Sequence, residues 1–224
     1  TPRGSHPRRH RRALDRNATI PALLEVLETR QLLSGQTIVV NTTYDGPSNN
    51  QPPNTTSLRQ AVAEANIDSV ADTIVFDNTL SGQTITLTQG ELLITTPVTI
   101  TGLGANNLTV SGGWNGTVGS STGSRIFHID DSTAALQNVA ITGLMITRGN
   151  FLTGNGGALI NNENLTLTDV VVSDSSVSHG NQYGDAYGGG IYNSGTITAS
   201  NSTISGNSTT AGYAYGGGVY NTGT

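Results

Sequence analysis

The sequence predicts an all-β parallel β-helix (solenoid) with a short N-terminal capping helix, and three observations carry that reading. Gly188-Gly-Gly-Ile-Tyr-Asn-Ser-Gly-Thr196 returns 28 residues later as Gly216-Gly-Gly-Val-Tyr-Asn-Thr-Gly-Thr224, and Gly156-Gly-Ala-Leu-Ile-Asn161 lies 32 residues upstream of the first copy. β-Rich segments recurring at such periods stack as repeats, each covering the face its neighbour leaves open. Inside the copies, apolar residues alternate at the period of two that a strand requires. After residue 35 the pattern changes to a helical period once, between Ser57 and Asn66.

Composition narrows the function classes. Only 11% of the 224 residues are charged, yet the net charge of −5 and the periodic apolar positions oppose disorder. The 29 glycines follow no three-residue period, which excludes collagen. There is no Lys, and seven of the ten Arg lie at or before Arg30, so the first 30 residues carry +4 and the remainder −9. A body so poor in cations cannot replace phosphate counterions, and no nucleic-acid partner is expected. The absence of Cys excludes a disulfide scaffold and thiolate chemistry.

Residues 1–34 read as an Arg-rich tail followed by a leader or sorting segment. His6 and His10 have the i,i+4 spacing of a helical metal pair, but Pro2 and Pro7 oppose a helix there. From Ile20 to Leu33 an amphipathic helix is expected, with Pro21 near its first turn and Gly35 beyond its end. It is too short and too charged to span a bilayer, and no transmembrane segment is expected. Leu27-Glu28-Thr29-Arg30-Gln31-Leu32-Leu33 resembles the Leu-Glu-Pro-Arg-x-Leu-Leu motif near the N-termini of large secreted or surface proteins of planctomycete-like bacteria, with Thr29 in place of Pro. That resemblance implies export or sorting, hence a secreted or cell-surface location.

Residues 35–224 form the second unit. Thr37-Ile-Val-Val40 is the first strand expected, and Gly46-Pro47 and Pro52-Pro53 mark a loop. In Ser57-Leu-Arg-Gln-Ala-Val-Ala-Glu-Ala-Asn66, Leu58, Ala61, Val62 and Ala65 share one helical face, and Ser57 with Gln60 has the spacing of a capping box. This helix near 57–66 is expected to cap the first coil and shield its edge. Strands follow at Asp72–Phe76, Gln83–Thr88, Glu91–Ile94 and in Pro97–Gly112. The stretch resembles the N-terminal module of bacterial right-handed parallel β-helix proteins that carry a Cys-Ser-Leu-Arg-Glu-Ala motif, here Thr56-Ser57-Leu58-Arg59-Gln60-Ala61. The resemblance covers nearly everything from Thr37 onward and implies a right-handed β-helix of the surface-protein type.

Alignment of the copies predicts the interior. Val139, Leu165 and Ile197 form one inward set; Ile141, Leu167 and Ala199 form another; Ile146, Val172 and Ile204 a third. Asn161, Asn193 and Asn221 recur at one place, as an internal amide ladder at a corner would. Thr224 is the counterpart of Thr196, where the next strand would begin, so further coils are expected beyond the C-terminus.

The reactive residues are sparse. Asp130-Asp131 and Ser178-His179-Gly180 partly match the Asp-Asp pair and Gly-His-Gly segment of polygalacturonase-like enzymes, without their Arg-x-Lys. On a strand Asp130 and Asp131 would face opposite ways. Arg148 is the candidate cation for a lyase, and Asp169, Asp174 and Asp185 are candidate Ca²⁺ ligands on loops. Tyr183, Tyr187, Tyr213 and Tyr215 offer either a sugar-stacking surface or local packing, with packing the ordinary expectation.

On these grounds the expected function is a secreted or cell-surface structural protein of adhesion type, more an inert scaffold than an enzyme. It needs no cofactor, although Ca²⁺ is the ion its loops could take, and its partners would be surface glycans or envelope proteins. The alternative is a polysaccharide lyase or glycoside hydrolase acting on acidic glycans. Carboxylates and Arg converging on one solvent-facing strip would favour the enzyme; isolated charges would favour the scaffold.

Overall fold

The computed structural model describes residues 35–179 and 184–224. The tail, leader motif and helix expected within residues 1–34, with His6 and His10, lie outside the described residues, as does Tyr183.

β1 (Thr37–Val40) buries Ile38 and Val40 and turns Thr37 and Val39 outward. A polar loop leads to α1 (Leu58–Ala65). Ser57 Oγ accepts the N–H of Gln60, whose side chain accepts the N–H of Ser57, satisfying two donors the helix start leaves free. Leu58, Ala61, Val62 and Ala65 are all buried.

The chain then makes successive circuits. The first holds β2 (Asp72–Phe76), β3 (Gln83–Thr86) and β4 (Leu92–Ile94), and the second β5 (Val98–Thr101), β6 (Leu108–Ser111) and β7 (Phe127–Ile129). A third contains β8 (Asn138–Thr142), β9 (Met145–Thr147), β10 (Asn150–Leu152) and β11 (Leu159–Asn161). Next come β12 (Asn164–Thr168), β13 (Val171–Ser173), β14 (Ser176–Ser178), β15 (Asp185–Tyr187) and β16 (Ile191–Asn193). The last comprises β17 (Thr196–Ser200), β18 (Thr203–Ser205), β19 (Ser208–Thr210), β20 (Tyr213–Tyr215) and β21 (Val219–Asn221).

Paired strands come from different circuits. Five sheets result, with orders β1-β2-β5-β8-β12-β17, β3-β6-β9-β13-β18, β21-β16-β11-β7-β4, β10-β14-β19 and β15-β20. The return from β8 to its neighbour β12 runs through strands of other sheets, not through a covering helix as in doubly wound α/β folds. Val98, Val139, Leu165 and Ile197 share one register position, and Ile100, Ile141, Leu167 and Ala199 another. Facing apolar residues bury about 1.5–3 kcal/mol per large side chain, and this column is the core of the molecule.

Corners repeat as well. Gly143, Asp169 and Asn201 follow the ends of β8, β12 and β17, and Arg148, Asp174 and Gly206 follow β9, β13 and β18. All six have positive φ, between 49° and 66°. Asp and Asn tolerate that backbone through local hydrogen bonding, which accounts for Asp169 and Asp174 without invoking a ligand.

Several expectations are corrected. The all-β, right-handed parallel β-helix (solenoid) with a short capping helix expected from the sequence is not kept as the description of this chain. Its section changes from three sheets to five, and α1 lies against β1, β2 and β4 as part of the core. Ala199, expected inside, is in register with Leu167 but exposed, because β17 has no strand beyond it among the described residues. No helix among the described residues is long and apolar enough to cross a membrane.

Candidate functional site

The site lies where β4, β7 and β11 adjoin. In β7, Phe127 and Ile129 point inward, which leaves His128 on the outer face. Glu91 precedes β4, and its place is set from the helix. Arg59 donates to the Glu91 carbonyl at 3.0 Å and to the Gly90 carbonyl at 2.6 Å. The same guanidinium makes a bidentate pair with the buried Asp45, at 2.9 and 3.0 Å. Asp45 also accepts the N–H groups of Thr88 and Gln89, so one ion pair pins the loop and the turn that carries Glu91.

The Glu91 carboxylate sits between two cations or potential cations. Oε2 accepts from Arg125 Nε at 2.6 Å, and Oε1 lies 3.1 Å from His128 Nδ1. Burial alone would raise the Glu91 pKa, but hydrogen bonds and charge from His128 and Arg125 outweigh it and bring it from 4.5 to about 2. Arg125 is itself buried, donates to the Asn155 carbonyl at 2.7 Å and lies 4.1 Å over the Phe151 ring. His128 Nε2 is 3.8 Å from Asp130 Oδ2, so the imidazole stands between two carboxylates.

Past β7 the backbone turns. Asp130 Oδ1 accepts the N–H of Ser132, Asp131 Oδ1 that of Thr133, both at 2.7 Å, and Ser132 has φ of 61°. This is why both carboxylates reach one place: they are turn residues, and the strand rule that would oppose them does not apply. Glu163, in the turn between β11 and β12, is the third member. Fully buried, it accepts the N–H of Asp131 at 3.1 Å and of Gln137 at 2.6 Å. One oxygen from each of Asp130, Asp131 and Glu163 lies within 4.8 Å of the others. The Asp131 carboxyl is held below its usual range by the Thr133 N–H, then by Gln137 and the Thr133 hydroxyl. Three hard oxygen donors fit a divalent cation of the Ca²⁺ or Mg²⁺ type. With about four lone-pair sites per carboxylate, the internal bonds leave acceptor capacity on all three.

The other candidates from sequence do not join this group. His179 donates its backbone N–H to Thr210 and packs its ring against Gly184. Arg148 occupies a corner and lines a cavity of about 290 Å³ with Trp114 and Asp174. Asp169 and Asp174 are exposed corner residues, and Asp185 accepts the Tyr187 hydroxyl at 2.8 Å, which pushes that hydroxyl's pKa up to about 12. Four tyrosines stack in pairs, Tyr187 on Tyr215 at 5.2 Å and 9° and Tyr192 on Tyr220 at 5.7 Å and 19°, while Tyr213 is exposed outside them. Ring faces engaged in this way are local packing.

Glu91, Arg125, His128 and Glu163 are members that sequence reasoning missed. One signal for Glu163 was available. In the repeat it holds the place of Gly195, where an added Cβ would collide with the Glu163 carbonyl oxygen. A carboxylate where the two later copies carry Gly195 and Gly223 marks a local specialisation.

Compared with known proteins, the chain matches no family model, no curated protein and no solved structure. The resemblance to β-helix surface proteins is not kept as an assignment. A parallel multi-sheet architecture with a core helix and a converging Asp-Asp-Glu group stands in its place. The inert adhesion scaffold is corrected too, because its premise was that the reactive residues stay apart.

Acid should weaken this site in a defined window. Because the folded pKa of Glu91 is depressed, its stabilisation is complete above about pH 4.5 and is lost as pH falls toward 2. Glu91→Gln should therefore flatten the melting-temperature profile in that window. At neutral pH it should cost about 1–3 kcal/mol, since Arg125 is left unpaired but Glu91 is partly screened by solvent. Thermal melts of both proteins across the acid range test this, and parallel profiles would contradict it.

Proposed function

We propose that this chain is a cation-assisted carbohydrate-active enzyme that cleaves an acidic polysaccharide by elimination, working at the strip from Glu91 to Glu163. The observation that carries the reading is the convergence of Asp130, Asp131 and Glu163 beside the Glu91–His128 pair on one face. Hydrolysis through a carboxyl acid would require a group held protonated. Glu91 and Asp131 are both shifted the other way, which favours a lyase.

Asp130, Asp131 and Glu163 would hold the cation. When bound, it supplies positive charge that binds the substrate carboxylate and acidifies the neighbouring C–H. The need for it follows from charge, since residues beyond Arg30 sum to −9 and would repel an anionic polymer. Glu91 orients His128 through Nδ1, leaving Nε2 to accept the C–H proton as the C–O bond to the leaving sugar breaks and its oxygen takes a proton from water, while Arg125 keeps Glu91 in place. A polymer of this kind belongs outside the cytoplasm, which fits a secreted or envelope location.

The test is product formation from polygalacturonate and other uronate polymers, followed by the absorbance of the unsaturated end, with Ca²⁺ and with chelator. Activity is expected with Ca²⁺ only. His128→Ala should reduce it by about 10²–10⁴-fold, the usual contribution of a general base. No unsaturated product, or activity indifferent to His128→Ala, would overturn the reading.

A further inference from the structure

A second surface lies on the outer face of the six-stranded sheet, a different sheet from the one that carries the carboxylate strip. One outward column reads Thr37, Thr73, Thr99, Ala140, Thr166 and Thr198 in register across all six strands. Two residues further along each strand, a second column reads Val39, Val75, Thr101, Thr142, Thr168 and Ser200. Neither contains a charge or an aromatic ring. Thr168 and Ser200 hydroxyls are 3.4 Å apart; those of Thr99, Thr101, Thr142, Thr166 and Thr198 make no hydrogen bond within the described residues.

The fold does not demand this pattern. The equivalent column of the β3-β6-β9-β13-β18 sheet reads Thr84, Thr109, Met145, Val171 and Thr203. That of the β4-β7-β11-β16-β21 sheet reads Leu93, His128, Ile160, Tyr192 and Tyr220. Only one face presents alternating methyl and hydroxyl groups on a two-dimensional grid. Its spacings are ~4.8 Å between strands and ~6.6 Å between columns, set by sheet geometry.

We propose that this face binds ice. A dissolved ligand is commonly held through charge, stacking or an enclosing pocket, and the Thr columns offer no charge, no ring and only an open groove. What they offer is a neutral lattice of hydroxyls held in fixed register, with methyls between them. Such an array orders a layer of water at its own repeat, which is of the same order as the repeats between water oxygens on the prism planes of hexagonal ice. Each contact is weak, but many engage together without loss of backbone freedom, because the sheet is already ordered. The small side chain of Ala140 opens the middle of the face. It lies in a groove of about 540 Å³ that also takes in Thr99 and Thr166, with room for anchored waters.

The experiment uses the full chain in two measurements: partition into a slowly growing ice front, and the gap between melting and freezing points of a single crystal. The wild type should enter the ice and open a gap, with or without chelator. Thr166→Tyr, which raises a ring from the centre of the grid, should abolish most of both effects. Thr99→Leu, a smaller intrusion, should reduce them too if the tyrosine variant fails to fold. Thr203→Tyr, on another face, should leave them unchanged. Exclusion of the wild type from ice, an effect insensitive to Thr166→Tyr and Thr99→Leu, or retention on crystalline cellulose or chitin in place of ice would overturn the proposal. Because no cation is involved, success or failure here is independent of the lyase assay.

Discussion

Leu167→Asp is expected to abolish folding. Leu167 is fully buried in β12, between Ile141 of β8 and Ala199 of β17 in register. A carboxylate placed there meets apolar side chains on the inner side and has no cation within its circuit. Burying a charge without a partner costs more than the roughly 5–15 kcal/mol that holds a domain together, unless the group protonates or the strand leaves its place. Leu167→Ala, by contrast, should fold and lose about 2–5 kcal/mol, the cost of lost burial plus the cavity. Circular dichroism and urea unfolding distinguish the three proteins; a Leu167→Asp variant with the wild-type midpoint would contradict the register described above.

Asn193→Ala should cost about 2–4 kcal/mol for a change of a few atoms. Asn193 has no exposed surface. Its amide donates to the Gly195 carbonyl at 3.0 Å and to Asn221 Oδ1 at 2.6 Å, and its oxygen accepts from Asn161 Nδ2 at 2.6 Å. Alanine removes all three bonds, but the neighbours keep partners: Asn161 Nδ2 keeps the Glu163 and Thr196 carbonyls, and the Gly195 carbonyl keeps the Thr224 N–H. The cost is that of the bonds themselves, about 0.5–1.5 kcal/mol each. The same ladder supports the candidate site. Asn161 donates to the Glu163 carbonyl at 2.9 Å and accepts the Glu163 N–H at 3.2 Å, fixing the turn from which Glu163 reaches Asp131. A urea midpoint within error of wild type would show the ladder to be dispensable.

What was legible in the sequence follows from what repeats. Asn161, Asn193 and Asn221 and the set Val139, Leu165 and Ile197 are found by aligning copies, because stacked strands must present like side chains at like positions. Ser57 with Gln60 was legible because a helix start has a fixed chemistry. The extra sheets containing β10 and β15 were not, since three-residue strands in Gly- and Ser-rich segments leave too short an alternation to see. The site was hidden for the opposite reason: its members do not repeat. Glu91, Arg125, His128 and Glu163 are spread over 73 positions and meet only because β4, β7 and β11 pair in register. Asp130 and Asp131 were seen but assigned to a strand, when the chain had already entered a turn.

The claim on which the functional account rests is that Asp130, Asp131 and Glu163 act together as a cation site. Titrating the full chain with Ca²⁺ at neutral pH in a calorimeter, with a thermal melt at saturating ion, addresses it directly. The expected result is one binding event per chain and a higher melting temperature, by linkage of binding to folding. Both should be lost in Asp131→Asn and in Asp130→Asn, which remove ligand charge from the two half-buried members while the buried Glu163 remains. No heat and no shift in melting temperature, or binding that survives both substitutions, would contradict it.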